Sequence, residues 1–256
     1  MIVHAYVLSW TGRHENALAI AAAIQPSADQ LTIIYSDRDE SFELAANCEA
    51  IKVPNSWFFG QKFELGMRKC ASDVMLCVAA DVTCEDWPRL VERCRWAYQE
   101  RQHVGVWTPL VDYTPHSLAR TRILTFPDST LHAVCFTDSM TFALPRMIRE
   151  QLLGLGCERN TYGWGVDIAA AAIGLQQGLV PVLDESVSVR HPYGTGYARE
   201  DAHLLMLEFV KRLPAHQAVY LELINSYYQA RRRNPLSVML WRRLRWLRRL
   251  IPIGGR

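Results

Sequence analysis

The sequence predicts an α/β fold with a mostly parallel central sheet flanked by helices, and three observations lead to this prediction. Short apolar runs rich in β-branched residues occupy positions 2–8, 31–35, 74–80 and 104–108. Stretches with apolar residues at a period of about 3.6, typical of amphipathic helices, lie between these runs. The chain of 256 residues is also long enough to bury a large core without disulfides. Strands and helices that alternate in this way predict a doubly wound sheet.

The predicted elements follow in chain order. The first crossover helix covers residues 15–24, and the next covers 86–100 with Pro88 in its first turn, where proline is tolerated. Beyond Ala143 the alternation weakens. We expect these elements there: a helix, a glycine-rich loop at 162–167, an alanine-rich helix ending at Gln177, a pair of strands at 180–183 and 187–191, and helices near 199–213 and 217–232.

The composition excludes several classes of protein. Half of the residues are hydrophobic and 21% are charged, which is typical of a globular chain and not of a disordered one. No run approaches the roughly 20 apolar residues that span a bilayer, and segment 1–10 lacks the basic flank of a signal peptide. Seven cysteines, an odd number without a CxxC pair, indicate a reducing compartment and no zinc site. We therefore expect a cytoplasmic protein that is not integral to a membrane.

Charge is distributed unevenly along the chain. Nine of the 28 basic residues, all arginines, lie in 231–256, which contains no acidic residue. The remaining 19 basic residues stand against 26 acidic ones, so residues 1–230 carry a net charge of −7. This asymmetry predicts a globular domain over 1–230 and a basic tail over 231–256 that has a partner of its own.

Residues 236–251 of the tail have the pattern of a basic amphipathic helix, with aliphatic side chains and Trp246 on one face and arginines on the other. A helix of this length spans about 24 Å, less than the ~30 Å of a hydrocarbon core. We therefore expect it to lie on an anionic membrane surface. Two alternatives stay open. The apolar face could pack on the acidic domain or on a second subunit, or the tail could bind nucleic acid, which the acidic domain disfavours.

Polar residues follow directly after three of the predicted strands, where open α/β sheets bind ligands. Ser9 and Trp10 follow the first strand, Asp37 the second and Asp81 the third. A carboxylate at position 81 could hold a divalent ion with a bound diphosphate, or it could cap the next helix. Asp37 could accept hydrogen bonds from a base or ribose, or it could be a turn residue.

A glycine-rich loop carries a more specific pattern. In residues 163–167 two glycines flank Trp164, and Asp167 stands at the start of the next helix. The glycines permit close approach to a ligand, and Asp167 could take a proton from a hydroxyl. Alternatively, Asp167 caps the helix and Trp164 fills the core. His191 ends the last predicted strand and could ligate a metal, ahead of a loop at 192–197 that could fold over a substrate.

The motifs of three other enzyme classes are missing. The sequence has no GxGxxG after the first strand, no GxxxxGK[ST] and no GxSxG. This argues against a dinucleotide dehydrogenase, a P-loop NTPase and an enzyme with a nucleophile elbow.

Taken together, the motifs resemble the GT-A-fold glycosyltransferases of the family 2 type, which have a Rossmann-like sheet and include bacterial enzymes that move a sugar from a nucleotide diphosphate donor. The resemblance covers roughly residues 2–197 as an order of motifs. Its parts are Ser9-Trp10, Asp37, the segment 55–62 with Gly60 and Lys62, residues 137–142 followed by Arg146, and the GWG loop ending in Asp167. Asp81 stands in the DxD motif of the family, whose first aspartate is replaced by Ala79.

The resemblance implies a role for each matching residue. The donor-binding residues that it implies are Ser9, Trp10, Asp37, Lys62, Asp81 and Asp138. Asp81 and His191 would hold Mg²⁺ or Mn²⁺, and Asp167 would be the general base. The residues on the acceptor side would be Trp164, Gly165 and Tyr193.

These inferences predict an enzyme that transfers a sugar to a glycan or lipid-linked acceptor with inversion, at the cytoplasmic face of a bacterial inner membrane and without a nucleic-acid partner. A retaining route on the same fold stays open. A sugar-1-phosphate nucleotidyltransferase is a second alternative, although residues 9–15 lack the glycine-rich loop and basic residue of that family. A non-catalytic module that binds nucleotide sugars or membranes is a third, because the DxD motif is reduced.

Overall fold

The computed structural model describes residues 1–37, 42, 47–112, 114, 116–127, 130–191 and 196–233. The first half contains β1 (Val3–Leu8), α1 (His14–Ile24), β2 (Gln30–Tyr35), β3 (Cys48–Lys52), α2 (Phe59–Lys69), β4 (Val74–Ala79), β5 (Thr83–Cys84) and α3 (Trp87–Glu100). The second half contains β6 (Val104–Asp112), α4 (Leu118–Thr121), β7 (Arg122–Thr125), β8 (Leu131–Val134), β9 (Thr141–Pro145), α5 (Arg146–Leu153), α6 (Val166–Gln176), β10 (Val180–Arg190), α7 (Arg199–Val210) and α8 (Ala215–Arg233).

One sheet of ten strands passes through the described part of the chain. Its order is β3-β2-β1-β4-β9-β6-β10-β8-β7, and β5 pairs with β10 outside this path. The four strands from β3 to β4 are parallel neighbours, and β6 is parallel to β10. β5, β8 and β9 run in the opposite direction to the other seven. The predicted mostly parallel sheet with flanking helices is therefore confirmed, with an antiparallel strand inserted between β4 and β6.

Apolar cores cover both faces of this sheet. Alternate side chains of β1 point to opposite faces, so Val3, Ala5 and Val7 join the core with α1 and α3, whereas Tyr6 and Leu8 join the core with α2, α5 and α6. All six residues of β1 are buried. Burial on both faces explains why the predicted strands appear in the sequence as continuous apolar runs.

The structure differs from the prediction at several elements. The predicted pair of strands at 180–183 and 187–191 is one strand, β10, whose register shifts between Asp184 and Ser188. The polar residues at this irregularity made the sequence look interrupted. β3 and α2 were not predicted, because β3 is only half-buried and α2 turns two charged side chains, Lys62 and Glu64, inward.

The last described helix, α8, continues through the predicted domain boundary at residue 231 to Arg233. Its Ile224 is buried in a small apolar cluster with Ala171 of α6. The predicted amphipathic helix at 236–251 lies outside the described residues. Among the residues that are described, no helix is both long and apolar enough to cross a bilayer.

Candidate active site

The carboxyl ends of β1, β2 and β4 lie side by side, because these strands are parallel neighbours. Ser9 follows β1, Asp37 lies two residues after β2, and Asp81 lies two residues after β4. Residues that follow parallel strands meet at one edge of the sheet, where α/β folds bind ligands. The structure therefore brings these three predicted residues to a common edge.

Asp81 is paired with His191, which follows β10. Asp81 Oδ2 lies 3.2 Å from His191 Nε2, and this hydrogen bond raises the pKa of His191 above its usual value. Asp81 Oδ1 is buried and has no hydrogen-bond partner among the described residues. Asp81 is not a helix cap, since Asp86 caps α3 by accepting a hydrogen bond from Arg89 N at 3.0 Å.

The pair fits part of the coordination sphere of a divalent metal. A carboxylate oxygen without a partner and an imidazole nitrogen are donors that Mn²⁺ accepts, and carboxylate oxygens also suit Mg²⁺. Within the described ranges, no group of three His, Cys, Asp or Glu side chains is arranged to hold an ion. A metal held by Asp81 and His191 would therefore take its other ligands from a bound molecule or from water.

Asp167 lies in the first turn of α6 and is buried, with 6% of its surface exposed. Burial raises the pKa of Asp167 to about 7, and the negative charge of Asp138 adds to this effect. The N-cap position of the helix is Gly165, so Asp167 is not the N-cap residue. A carboxyl group with a pKa near 7 is suited to proton transfer at neutral pH.

Asp138 connects the surroundings of Asp167 and His191. Its charge raises the pKa of both groups. Its own carboxylate accepts a hydrogen bond from Met140 N at 3.1 Å, which orients it in the loop before β9. The negative charge of Asp138 thus favours the protonated form of both groups.

The glycine-rich loop before α6 is shaped by close contacts. Gly163 and Gly165 have φ values of 73° and 84°, which side chains other than hydrogen rarely permit. A Cβ on Gly163 would lie 2.1 Å from the ring of Phe59 in α2. One on Gly165 would lie 2.7 Å from the side chain of Met206 in α7. The two glycines thus let the loop fit between α2 and α7 and lead into Asp167.

Lys62 of α2 is fully buried beneath the ends of β1 and β2. Its Nζ donates hydrogen bonds to Ser9 O at 2.6 Å and to Ser36 Oγ at 2.7 Å. Burial lowers the pKa of Lys62 to about 8, and the charge of Asp37 opposes this. The ammonium group therefore joins the two strand ends from inside the protein and is not itself exposed.

Asp37 is an exposed residue at the end of β2 with a left-handed backbone conformation, φ 60°. Thr11 Oγ1 donates to its Oδ2 at 2.6 Å, and its own N–H donates to Asn55 Oδ1 at 3.0 Å. These bonds join the segments that follow β1, β2 and β3. Asp37 is thus part of a turn, and its exposed carboxylate can still accept hydrogen bonds from a ligand.

Five half-buried aromatic residues form a cluster near the carboxyl ends of β1, β2 and β4. Tyr162 and Tyr197 stack with ring centroids 4.1 Å apart, and Trp164 Nε1 donates to Tyr197 Oη at 2.9 Å. Phe58 lies edge-on to both tyrosines at 5.7 Å, and Trp10 lies 5.8 Å from Phe58. Trp164 therefore belongs to this aromatic cluster and does not fill the core.

Some site residues were not predicted from the sequence. Asn160 is fully buried, and its Nδ2 donates to Trp164 O at 2.8 Å, which holds the glycine-rich loop. Tyr197 and Phe58 enter the aromatic cluster only through tertiary contacts, so an isolated motif could not reveal them. Tyr193, which was predicted on the acceptor side, lies outside the described residues.

Comparison with known proteins identifies the fold of this chain. No protein-family model matches the sequence, and no curated protein does. Solved structures do match. TarS of S. aureus, residues 1–349, has a TM-score of 0.59 at 12% identity and covers 91% of this chain and 74% of its own. The mannosyltransferase PcManGT of Pyrobaculum calidifontis, in complex with GDP-Man and Mn²⁺, has a TM-score of 0.52 at 11% identity. The match covers 93% of this chain and 78% of the mannosyltransferase chain.

GalNAc-T7, solved with UDP, GalNAc and Mn²⁺, has a TM-score of 0.58 at 12% identity over 82% of this chain. The present chain spans about half of that protein, 48% of its length. At such low identity these likenesses establish the fold alone. The chain therefore has the GT-A fold of glycosyltransferases, as the order of its sequence motifs predicted.

Proposed function

We propose that this protein is a glycosyltransferase that moves a sugar from a nucleotide-diphospho-sugar donor to a hydroxyl group of a glycan or lipid-linked acceptor. The observation that carries the proposal is the buried Asp167, whose pKa of about 7 fits a general base. The charge of Asp138 raises the pKa of both Asp167 and His191, and a diphosphate could bind at the Asp81–His191 pair. Solved GT-A structures with UDP or GDP-Man support the class of donor.

The donor would bind along the ends of β1, β2 and β4. Trp10 would contact the nucleoside, and the exposed carboxylate of Asp37 would accept hydrogen bonds from its base or ribose. Ser9 was predicted to contact the donor as well, but it is fully buried and its Oγ lies 2.9 Å from His14 Nδ1, so it would only position the end of β1. Lys62 would act through Ser9 and through the strand end that it holds, because its ammonium is buried.

The diphosphate would lie at Asp81 and His191, which would hold Mg²⁺ or Mn²⁺ together with the donor. A divalent ion bound there supplies a Lewis acid for the charge that develops on the departing diphosphate. Ala79, at the first position of the DxD motif, lies within β4 and is 1% exposed. This chain therefore contributes fewer ligands than a complete motif would.

Asp167 would act on the acceptor. As the acceptor oxygen attacks the anomeric carbon, the bond from that carbon to the diphosphate breaks and the hydroxyl proton passes to the Asp167 carboxylate. Attack from the face opposite the leaving group inverts the anomeric centre. The charge of Asp138 increases the affinity of Asp167 for the proton.

The test combines donor binding with turnover. Purified protein is incubated with a panel of nucleotide sugars, with and without Mn²⁺, while thermal shift and release of nucleoside diphosphate are measured. We expect one donor to give a metal-dependent shift that Asp81→Ala abolishes, and slow release that Asp167→Ala abolishes. Asp201→Ala, at an exposed aspartate of α7, serves as the matched control. A donor that binds without any release of nucleoside diphosphate would show a binding module instead.

We also propose that the basic tail docks the enzyme on the anionic cytoplasmic face of a bacterial inner membrane, where it takes part in polysaccharide or lipid-linked glycan synthesis. Arg231 of α8 donates to Arg122 O at 2.7 Å, so the described end of α8 lies beside β7. Ile123 and Leu124 of this strand are exposed at 44% and 43%. An exposed apolar strand beside the last described turn of α8, from which the basic tail continues, supports binding to an anionic bilayer.

Sedimentation with vesicles tests this docking. The full chain should bind vesicles that contain phosphatidylglycerol, with an affinity that falls in high salt, because each arginine near an anionic surface contributes about 1 kcal/mol. A chain ending at residue 233 should stay in the supernatant. Equal binding of both chains, or equal binding to neutral vesicles, contradicts the proposal. A dimer that dissociates on truncation would instead assign the tail to a subunit interface.

A further inference from the structure

A small apolar core lies between α8, α6 and the loop that leads from β8 to β9. Four buried residues from these three segments form it: Cys135, Phe136, Ala171 and Ile224. Half-buried side chains of α6 and α8, among them Ile168 and Tyr228, pack against it. This core is distinct from the two larger cores that cover the faces of the sheet.

Two acidic residues of the candidate active site lie close in sequence to members of this core. Ile168 immediately follows Asp167 in α6, and Ala171 lies one turn further along the same helix. Phe136 lies two residues before Asp138. The packing of α8 therefore bears on the segments that carry both carboxylates.

The loop that carries Asp138 is the described segment 135–140, which links β8 to β9 without a helix or strand. At its start, Cys135 N donates to Thr121 O at 2.8 Å. At its end, Ala79 N of β4 donates to Met140 O at 2.8 Å. Between these hydrogen bonds, the buried side chain of Phe136 anchors the loop. The position of this ring therefore affects the path of the loop toward β4.

Aromatic contacts join this anchor to α8. Tyr228 lies edge-on to Phe136, with ring centroids 4.9 Å apart, and edge-on to His116 at 5.9 Å. His116 stacks on Phe136 at 5.3 Å. Aromatic pairs with these geometries are favourable beyond the area that they bury. Tyr228 thus holds both rings from the side of α8.

Hydrogen bonds limit the rotation of α8 about its axis. Tyr227 Oη donates to Arg122 O at 3.0 Å. Arg231, one turn later on the same face, donates to the same oxygen at 2.7 Å and to Ala119 O at 3.2 Å. Since both residues bind the segment of α4 and β7, the neighbouring Tyr228 is kept in place against the aromatic pair.

We propose that Tyr228 is a positioning residue for the proposed sugar transfer. By packing on Phe136 and His116, it fixes the loop of Asp138 relative to the start of α6, where Asp167 lies. The inference rests on the proposed function and adds α8 to the elements that maintain its site. A misplacement of about 1 Å in the reacting groups can lower a rate by about 100-fold. Loss of the Tyr228 ring should therefore slow the reaction.

The test compares three substitutions at Tyr228 with one control. Tyr228→Ala removes the ring, and Tyr228→Leu keeps apolar volume in case the alanine variant does not fold. Tyr228→Phe keeps the ring and should behave as the wild type. Tyr220→Ala is the matched control, because this half-buried tyrosine of α8 packs against the core with α2, α5 and α6 instead.

Hydrogen exchange measured by mass spectrometry, without donor, reports the loop itself. In Tyr228→Ala and Tyr228→Leu, we expect the amides of 135–140 to exchange faster by about tenfold or more. With donor and Mn²⁺, release of nucleoside diphosphate should fall by about 10–100-fold. The affinity for UDP or GDP with Mn²⁺ should stay within about twofold of the wild type, because these ligands would bind at the strand ends.

Several outcomes overturn the inference. Unchanged exchange in the folded variants would show that Tyr228 does not fix the loop. Faster exchange with unchanged release would show a contact without a role in positioning, as would an equal loss of release in Tyr220→Ala. A wild type that binds no donor and releases no nucleoside diphosphate would instead refute the proposed function, whereas the exchange measured without donor still reports the contact.

Discussion

Asp81 Oδ2 lies 3.2 Å from His191 Nε2 although 110 positions separate the two residues in sequence. The strands that lead into them, β4 and β10, are not neighbours, because β9 and β6 lie between them. The short strand β5 explains how residues that follow two separated strands come into contact. Two residues after Asp81, Thr83 pairs with Arg190 and Cys84 with Val189. β5 therefore holds the end of β10 against the segment that follows β4.

Replacing either member of this pair should weaken metal binding. Asp81→Asn and His191→Ala should each lower the affinity for Mn²⁺ in the presence of UDP or GDP by about tenfold or more, because each removes one ligand that the protein would supply. Isothermal titration measures this. Asp86→Asn is the control, since asparagine also caps helices well. Wild-type affinity in both single variants would exclude the pair as ligands.

Asp167→Asn should abolish proton acceptance while keeping the size of the side chain. We expect the rate of sugar transfer to fall by about 10²–10⁴-fold, the usual contribution of a general base. The Kd of the donor should stay the same, because Asp167 acts on the acceptor. Product formation at fixed times measures the rate of transfer, and thermal shift with donor measures the Kd of the donor. A parallel loss of donor affinity would assign Asp167 to donor binding.

The rate of transfer should increase with pH through about 7. The pKa of Asp167 is raised to about 7, so the carboxyl group is neutral below this pH and becomes a base only above it. Asp138→Asn removes a negative charge that raises this pKa, and the midpoint of the profile should move to lower pH. A rate profile from pH 5 to 9 checks both statements. The same midpoint in the two proteins would show that Asp138 does not act on the base.

Substitution of Gly60 tests the contact between α2 and the loop before α6. A Cβ at this position would lie 2.0 Å from Asn160 O, a backbone atom that cannot move away alone. Gly60→Ala should therefore lower the free energy of unfolding by about 1–3 kcal/mol or more. Gly196→Ala, where a Cβ would meet nothing within 4 Å, is the control. Denaturant unfolding compares them, and equal stability would mean that the loop shifts freely.

Tyr197 allows the stacking and hydrogen bonding in the aromatic cluster to be measured separately. Tyr197→Phe keeps the ring on Tyr162 but removes the acceptor of the Trp164 indole, which should cost about 0.5–1.5 kcal/mol. Tyr197→Ala removes both interactions and should cost more. Thermal unfolding followed by tryptophan fluorescence reports the difference. Equal losses in the two variants would leave no role for the stacking.

Much of the fold was accessible from the sequence because its signals are local. β1, β2, β4, α1 and α3 lie within one residue of their predicted limits at every end, since buried parallel strands are continuously apolar and surface helices repeat every 3.6 residues. β3 and α2 lack such patterns, because one is half-exposed and the other buries charge. The antiparallel insertion of β9 depends on strand pairing, which periodicity does not specify.

The sequence by itself determined which chemical groups stand at strand ends and at the glycine-rich loop, among them Asp37, Asp81, Asp167 and His191. Tertiary structure alone decided how they are used. It paired Asp81 with His191 through β5, and it buried Lys62 beneath Ser9. The physical reason is that side-chain type and spacing act within one segment, whereas the order of the strands sets burial, pKa and contact between segments that are distant in sequence.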